Sequence, residues 1–230
     1  MGIPHYLAMT AAELSHYTPA FPTAWLACHF SAYHEGLSNL PVSLPPGSLL
    51  VLDDAAPMAS HDPEVIERQL LQCMESLDCR GLLLDFQRPE IPAARELAAH
   101  LVESLSFPVG VSHLYAEGLN CPVFLPPAPL HSSLAAHLQP WKGRDIWLEA
   151  ALEKETLTLT QAGCQISPAM EIPANGFSDG KLHCHYRAQI LGDAVRFTLW
   201  RTPPDLESLL TEAETLGITL AVGLWQELHG

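Results

Sequence analysis

A (β/α)8, TIM-type α/β barrel carrying a small antiparallel β insertion is the fold this sequence predicts, and three observations predict it. Short apolar runs without polar alternation, the mark of strands buried on both faces, recur along the chain between helical patterns. Several of these runs end abruptly in acids or amides, at the strand ends where barrels and open α/β sheets carry their sites. Between residues 153 and 193 the rhythm changes to period-two alternation, which marks a one-faced antiparallel sheet. Strand–helix alternation by itself suits a doubly wound sheet equally. A count of about eight core strands selects the barrel.

Taken in order, residues 6–17 carry a short helical pattern, followed by coil at Pro19 and Pro22. Residues 25–30 and 48–54 read as strands, the second ending in Asp53 and Asp54. A helix is expected from Asp62 as cap and Pro63 at its first position, with Ile66, Leu70, Cys73, Met74 and Leu77 on its apolar stripe. Gly81-Leu82-Leu83-Leu84-Asp85-Phe86-Gln87 is the next strand, and residues 92–105 its helix. Residues 107–113, 121–125 and 145–150 are further strands, with a brief helix over 130–138. Residues 195–200 are expected to resume the main sheet after the insertion, followed by a helix over 205–216 and a last strand over 218–225. The whole chain, 1–230, reads as a single barrel domain with 153–193 as a hairpin-like insertion.

Composition narrows the function classes. The 230 residues are 48% hydrophobic, enough for a full core, so global disorder is excluded. A formal charge of -15, from 26 acids against 11 bases, argues against nucleic acid and against an anionic membrane surface. No run of about 18 apolar residues occurs. Residues 1–6 carry no cationic, apolar leader, so a cytoplasmic protein is expected. The six cysteines, none in a CxxC pair, read as buried free thiols.

The polar cluster after the leucine run is the centre of any chemistry. Asp85 and Gln87 lie two apart at a strand end and so face one side. Residues 80–89 resemble the fourth-strand motif of glycoside hydrolase family 18, the chitinases and their lectin-like relatives, which reads Asp-Gly-x-Asp-x-Asp-x-Glu and is often followed by Tyr-Pro. Gly81, Asp85, Phe86 and Pro89 match it, whereas Arg80, Leu83 and Gln87 stand where the family has two aspartates and its catalytic glutamate. Gly223-Leu224-Trp225 looks like the family's eighth strand, which closes on a tryptophan flooring the sugar site. The resemblance makes residues 25–30, 48–54 and 81–87 strands two, three and four, with the first strand lost or degenerate within residues 1–24.

What the resemblance implies for function turns on Gln87. In the family a glutamate protonates the glycosidic oxygen and a neighbouring aspartate orients the substrate's N-acetyl group, a part Asp85 can still play. An amide has no titrating proton near neutral pH, so Gln87 cannot be the acid. The expectation is therefore a chitinase-like protein without its catalytic acid, binding an N-acetylglucosamine-containing glycan or acting as a scaffold. Its ligand residues would be Asp85, Gln87 and Trp225, with Tyr33, Tyr115 and Trp147 as further aromatic walls. One alternative is an active hydrolase with its acid moved to Glu149 or Glu90. Another is a protein-interaction barrel with a filled mouth. No cofactor or metal is expected: Asp53 and Asp54 read as solvated helix caps, and His183 and His185 as exposed hairpin histidines without a third ligand.

Overall fold

A computed structural model describes residues 2–14, 21–56, 62–89 and 91–229. In chain order the first strands are β1 (His5–Met9), β2 (Thr23–Phe30), β3 (Leu37–Ser38), β4 (Leu49–Asp53), β5 (Gly81–Asp85), β6 (Val109–Ser112), β7 (Val123–Leu125) and β8 (Ile146–Glu149). Five more, β9 (Lys154–Thr160), β10 (Gly163–Pro168), β11 (Phe177–Asp179), β12 (Cys184–Leu191) and β13 (Ala194–Trp200), precede the last strand, β14 (Leu220–Leu224). All of the first eight except β3 join β14 in parallel pairing, and β1 bonds to both β14 and β2. That double pairing closes an eight-stranded parallel barrel. The short β3 is antiparallel to β2 and caps its end.

Helices α1 (Pro63–Ser76), α2 (Pro92–Ser104), α3 (Leu134–Leu138), α4 (Pro203–Thr215) and α5 (Trp225–His229) lie between and after the strands. The α1 start is the predicted one, with Pro63 in its first turn and the Asp62 carboxylate accepting from the Glu64 N–H. Ile66, Leu70, Cys73 and Met74 are its buried face. In α4 Thr202 and Asp205 cap each other reciprocally, which leaves Leu206, Leu209 and Ala213 to pack inward. Among the described residues no helix is long and apolar enough to cross a membrane.

Strand alternation sorts the core into two shells. Leu50, Leu52, Leu82, Leu84, Val111 and Leu148 point outward, into the shell that also holds the buried faces of α1, α2 and α4. Tyr6, Leu49, Val51, Leu83, Phe124, Trp147, Leu220 and Val222 fill the lumen. Gly110 is what admits the Trp147 ring, because a Cβ there would stand 2.3 Å from it.

Two expectations need correction. The first strand is not lost. Tyr6, Leu7, Ala8 and Met9 are all buried in β1, and four consecutive buried residues have no period by which to tell strand from helix. The helical signal belongs to a local turn, in which the Glu13 carboxylate accepts from the Thr10 N–H and hydroxyl; the rest of that pattern, residues 15–17, lies outside the described residues. Nor do residues 195–200 rejoin the barrel. They form β13, paired between β9 and β12 in a five-stranded antiparallel sheet of order β10-β9-β13-β12-β11. Val195, Phe197 and Leu199 alternate there with Arg196 and Thr198, a one-faced pattern that a lumen-and-helix strand would not show.

The antiparallel sheet is fastened to the barrel by a small apolar cluster of Leu130, Cys184 and Leu199 and by buried Arg201. The Arg201 guanidinium donates to the carbonyls of Ala128 and His183. His183 and His185 are half-buried rather than exposed, and pair with Glu212 and Asp205 on α4. His131 pairs with Glu155 at 2.8 Å.

Replacing Gly110 by alanine is expected to lower stability by about 1–3 kcal/mol, the usual cost of overpacking a filled core. Urea unfolding of Gly110→Ala measures it. Adding Trp147→Leu in the same chain should recover part of the loss, because the clash is with that ring.

Candidate functional site

The C-terminal ends of the barrel strands gather acids. β4 ends in Asp53, β5 in Asp85 and β8 in Glu149, each at a position whose side chain turns toward the lumen axis. Asp85 and Glu149 line one small cavity at the barrel mouth, together with Leu26, Leu83, Phe124 and Leu224. Its volume is about 30 Å³. That is room for a water or two, against roughly 300 Å³ for an ordinary small-molecule pocket.

Gln87 follows β5 and is exposed, and its amide donates to the Asp85 carboxylate at 2.5 Å. The pair expected from sequence is thus assembled. Its placement depends on Asp54. This aspartate is 3% exposed, and its two carboxylate oxygens accept the backbone N–H groups of Gln87 (3.1 Å) and Arg88 (2.9 Å). Asp54 is thus a buried clamp on the neighbouring strand's loop, not a solvated helix cap. Asp53 accepts from the Ala55 N–H and so holds its own turn. Arg88 reaches back to the Ala55 carbonyl, and the Ser112 hydroxyl donates to the Phe86 carbonyl. Sequence alone gave no sign that the second acid of an Asp-Asp pair would be spent on another loop's backbone.

The aromatic candidates fare differently. Tyr115 is 1% exposed, its hydroxyl bonded to the Arg88 carbonyl and the Ile91 N–H, so it braces the loop from below and offers no free face. Trp147, 4% exposed, is a lumen residue beneath the mouth. Tyr33 is 97% exposed in the loop after β2. Trp225 is half-buried and opens α5; its neighbour Leu224 lines the cavity. Glu90 lies outside the described residues. Glu149, by contrast, shares the cavity with Asp85.

Electrostatics at the mouth favour held protons. Burial raises the Asp85 carboxyl, and the charges of Asp53 and Asp54 raise it further, against the lowering effect of the Gln87 hydrogen bond. Asp53 is raised mainly by burial. Burial, then Asp85, Glu153 and Glu227, push Glu149 up to about 7. Glu149 can therefore exist as a neutral acid near physiological pH, the condition a proton donor needs.

A scan against protein-family models and a search of curated proteins found no match. Solved structures do match, and they show the fold. The spore cortex-lytic enzyme SleL of Bacillus cereus superposes with a TM-score of 0.58 at 8% identity, covering 96% of this chain and 70% of its own. A class V chitinase from Nicotiana tobaccum, a glutamate-to-glutamine variant in complex with NAG4, gives 0.60 at 8% identity, covering 97% and 93%. The chitinase-like agglutinin RobpsCRA from Robinia pseudoacacia gives 0.57 at 9%, covering 95% and 93%. The chain has the barrel fold of the glycoside hydrolase family 18 chitinases.

Two measurements check the site's construction. Asp54→Ala is expected to cost about 2–4 kcal/mol, since it strands two N–H groups that had a charged acceptor. Hydrogen exchange should speed at the Gln87 and Arg88 amides before it does elsewhere in the barrel. Glu149 sets a pH dependence. Its folded value lies above the ordinary 4.5, so the protonated form is the one folding favours. That contribution is complete below about pH 4.5 and is lost as pH rises through about 7. Stability should decline across that window, and Glu149→Gln, with no proton to lose, should flatten the decline.

Proposed function

We propose that this protein is a chitinase-like carbohydrate-binding barrel, taking an N-acetylglucosamine-containing oligosaccharide across its mouth, with Gln87 rather than a glutamate after the fourth barrel strand. The observation that carries this reading is the Asp85–Gln87 pair. A carboxylate and an amide, hydrogen-bonded to each other and clamped by Asp54, offer acceptors and a donor to hydroxyl and acetamido groups. The proton that glycoside cleavage needs is missing at Gln87. The tobacco chitinase supports the separation of binding from cleavage, since that glutamate-to-glutamine variant is held in complex with NAG4. The Robinia agglutinin has the same barrel fold in a chitinase-like agglutinin. Trp225, adjacent to the mouth, is the aromatic best placed to meet a sugar face.

A second reading has its own observation. Glu149 shares the Asp85 cavity and is pushed up to about 7, so it is a candidate acid for a hydrolase that has moved its proton donor from β5 to β8.

Calorimetric titration with N-acetylglucosamine oligomers separates the readings. Saturable binding is expected, weakened by about tenfold or more in Trp225→Ala or Asp85→Ala. Product release should be absent, and Gln87→Glu should introduce it. Hydrolysis by the unaltered protein that disappears in Glu149→Gln would replace the binding reading by the enzyme reading. No heat with any oligomer would sink both and leave a scaffold.

A further inference from the structure

A concavity far larger than the one at the barrel mouth is found elsewhere on the molecule. It lies on the antiparallel sheet, about 600 Å³, along the face opposite the apolar cluster that fastens the sheet to the barrel. Strand register fixes what this face presents. Thr156, Thr198 and Arg187 stand side by side in one row across β9, β13 and β12, and Thr158, Arg196 and Gln189 in the next. Arg187 and Arg196 are thus diagonal neighbours on adjacent strands, close enough for two long side chains to meet one ligand. Neither guanidinium makes a hydrogen bond or ion pair with any described residue, and Glu171, which lines the same concavity, bonds to neither.

This arrangement is at odds with the rest of the chain. Only 11 of the 230 residues are Lys or Arg, against 26 acids, yet two arginines are set together here with neither guanidinium bonded to a carboxylate of the described residues. Like charges on neighbouring strands repel, and an anion between them removes that cost. A solvated sheet face would also be open, whereas Pro168 at the end of β10 and Met170, Glu171, Ile172 and Pro173, in the connection from β10 to β11 on the opposite edge, line this one and turn it into a groove.

We infer that this groove is a binding site for a carboxylate-bearing saccharide, with Arg187 and Arg196 taking the carboxylate and the threonine and glutamine rows taking the hydroxyls. The guanidinium fork matches a carboxylate in two parallel hydrogen bonds. Hydroxyl and amide side chains repeat at the strand spacing of about 4.8 Å, so the lining offers a ladder of donors and acceptors rather than a single contact. No aromatic ring lines the groove, which removes the stacking platform that single-stranded nucleic acid uses. The net charge of -15 further opposes a densely charged phosphate backbone, while two cations suit a ligand with sparse carboxylates. The site lies apart from the mouth and does not depend on the function proposed there.

The test compares a uronic-acid tetrasaccharide with its methyl ester, which has the same hydroxyls and no charge, by calorimetry on the full chain. The acid is expected to bind at least about tenfold tighter than the ester, since charge-assisted bonds to both arginines are at stake. Arg187→Ala/Arg196→Ala should abolish that preference, and about 0.5 M salt should reduce it. Both positions are exposed, and circular dichroism of the double variant should be unchanged. Binding of the neutral N-acetylglucosamine tetramer should be unaffected, whatever its strength. Equal affinity for acid and ester would overturn the inference. So would a double variant that keeps the preference, one that loses the neutral tetramer as well, or an oligonucleotide that displaces the acid from both arginines.

Discussion

β1 is the piece on which the barrel's geometry depends. Seven parallel strands without it would form an open sheet with two long unpaired edges, β2 and β14, each a template for association. Five residues, His5–Met9, satisfy both edges at once, pairing Leu7 with Thr23 on one side and with Gly223 on the other. Closure then fixes which side chains share the lumen. Tyr6 and Ala8 share one cluster with Val51 and Leu83 because the sheet returns on itself. The mouth acids are brought together by the same constraint, since Asp85 on β5 and Glu149 on β8 lie across the barrel rather than side by side.

That crowding shapes the chemistry. Carboxyls from three strands converge where the lumen below is filled by Trp147, Phe124 and Leu83, so each loses hydration as it gains like-charged neighbours. Both effects favour the protonated form, and Glu149 feels them most. Gln87 relieves the strain at Asp85 by donating a hydrogen bond without adding a charge. A glutamate at that position would add a fourth carboxyl to the rim, and its own proton would be held more tightly for the same reasons. The amide therefore keeps Asp85 available as an acceptor and brings no ionisable proton of its own to the rim.

How much of this was legible in the sequence follows from how local each signal is. The α1 cap at Asp62-Pro63, the leucine run of β5 and the Asp85–Gln87 pair are written in neighbouring residues, and all were readable. The barrel fold was readable too, from the rhythm of buried runs. β1 was not, because a five-residue buried strand carries no period, and its role comes from two partners more than ten and two hundred residues away. Residues 195–200 were assigned to the barrel on hydrophobicity, although their alternation already showed one wet face. The parts played by Asp54, Tyr115 and Trp147 were hidden for a common reason. Each is set by a contact with another strand's loop or lumen, which no spacing along the chain encodes.

The two proposed recognition surfaces have opposite electrostatics, and this limits what one ligand can satisfy. The mouth holds carboxyls around Asp85 whose protonated forms are favoured, and no cation among the described residues lines its cavity, which agrees with the neutral sugar proposed for it. The sheet groove holds two unpaired guanidiniums and suits a carboxylate. The sheet is fixed to the barrel through Arg201 and the His183–Glu212 and His185–Asp205 pairs, so the two surfaces are held in one molecule rather than joined by a loose linker. A polymer that alternates neutral and carboxylated sugars could engage both, and its gain would come from effective concentration rather than from a stronger contact at either surface. A uniformly charged chain would be refused at the mouth, and a uniformly neutral one would gain nothing from the arginines.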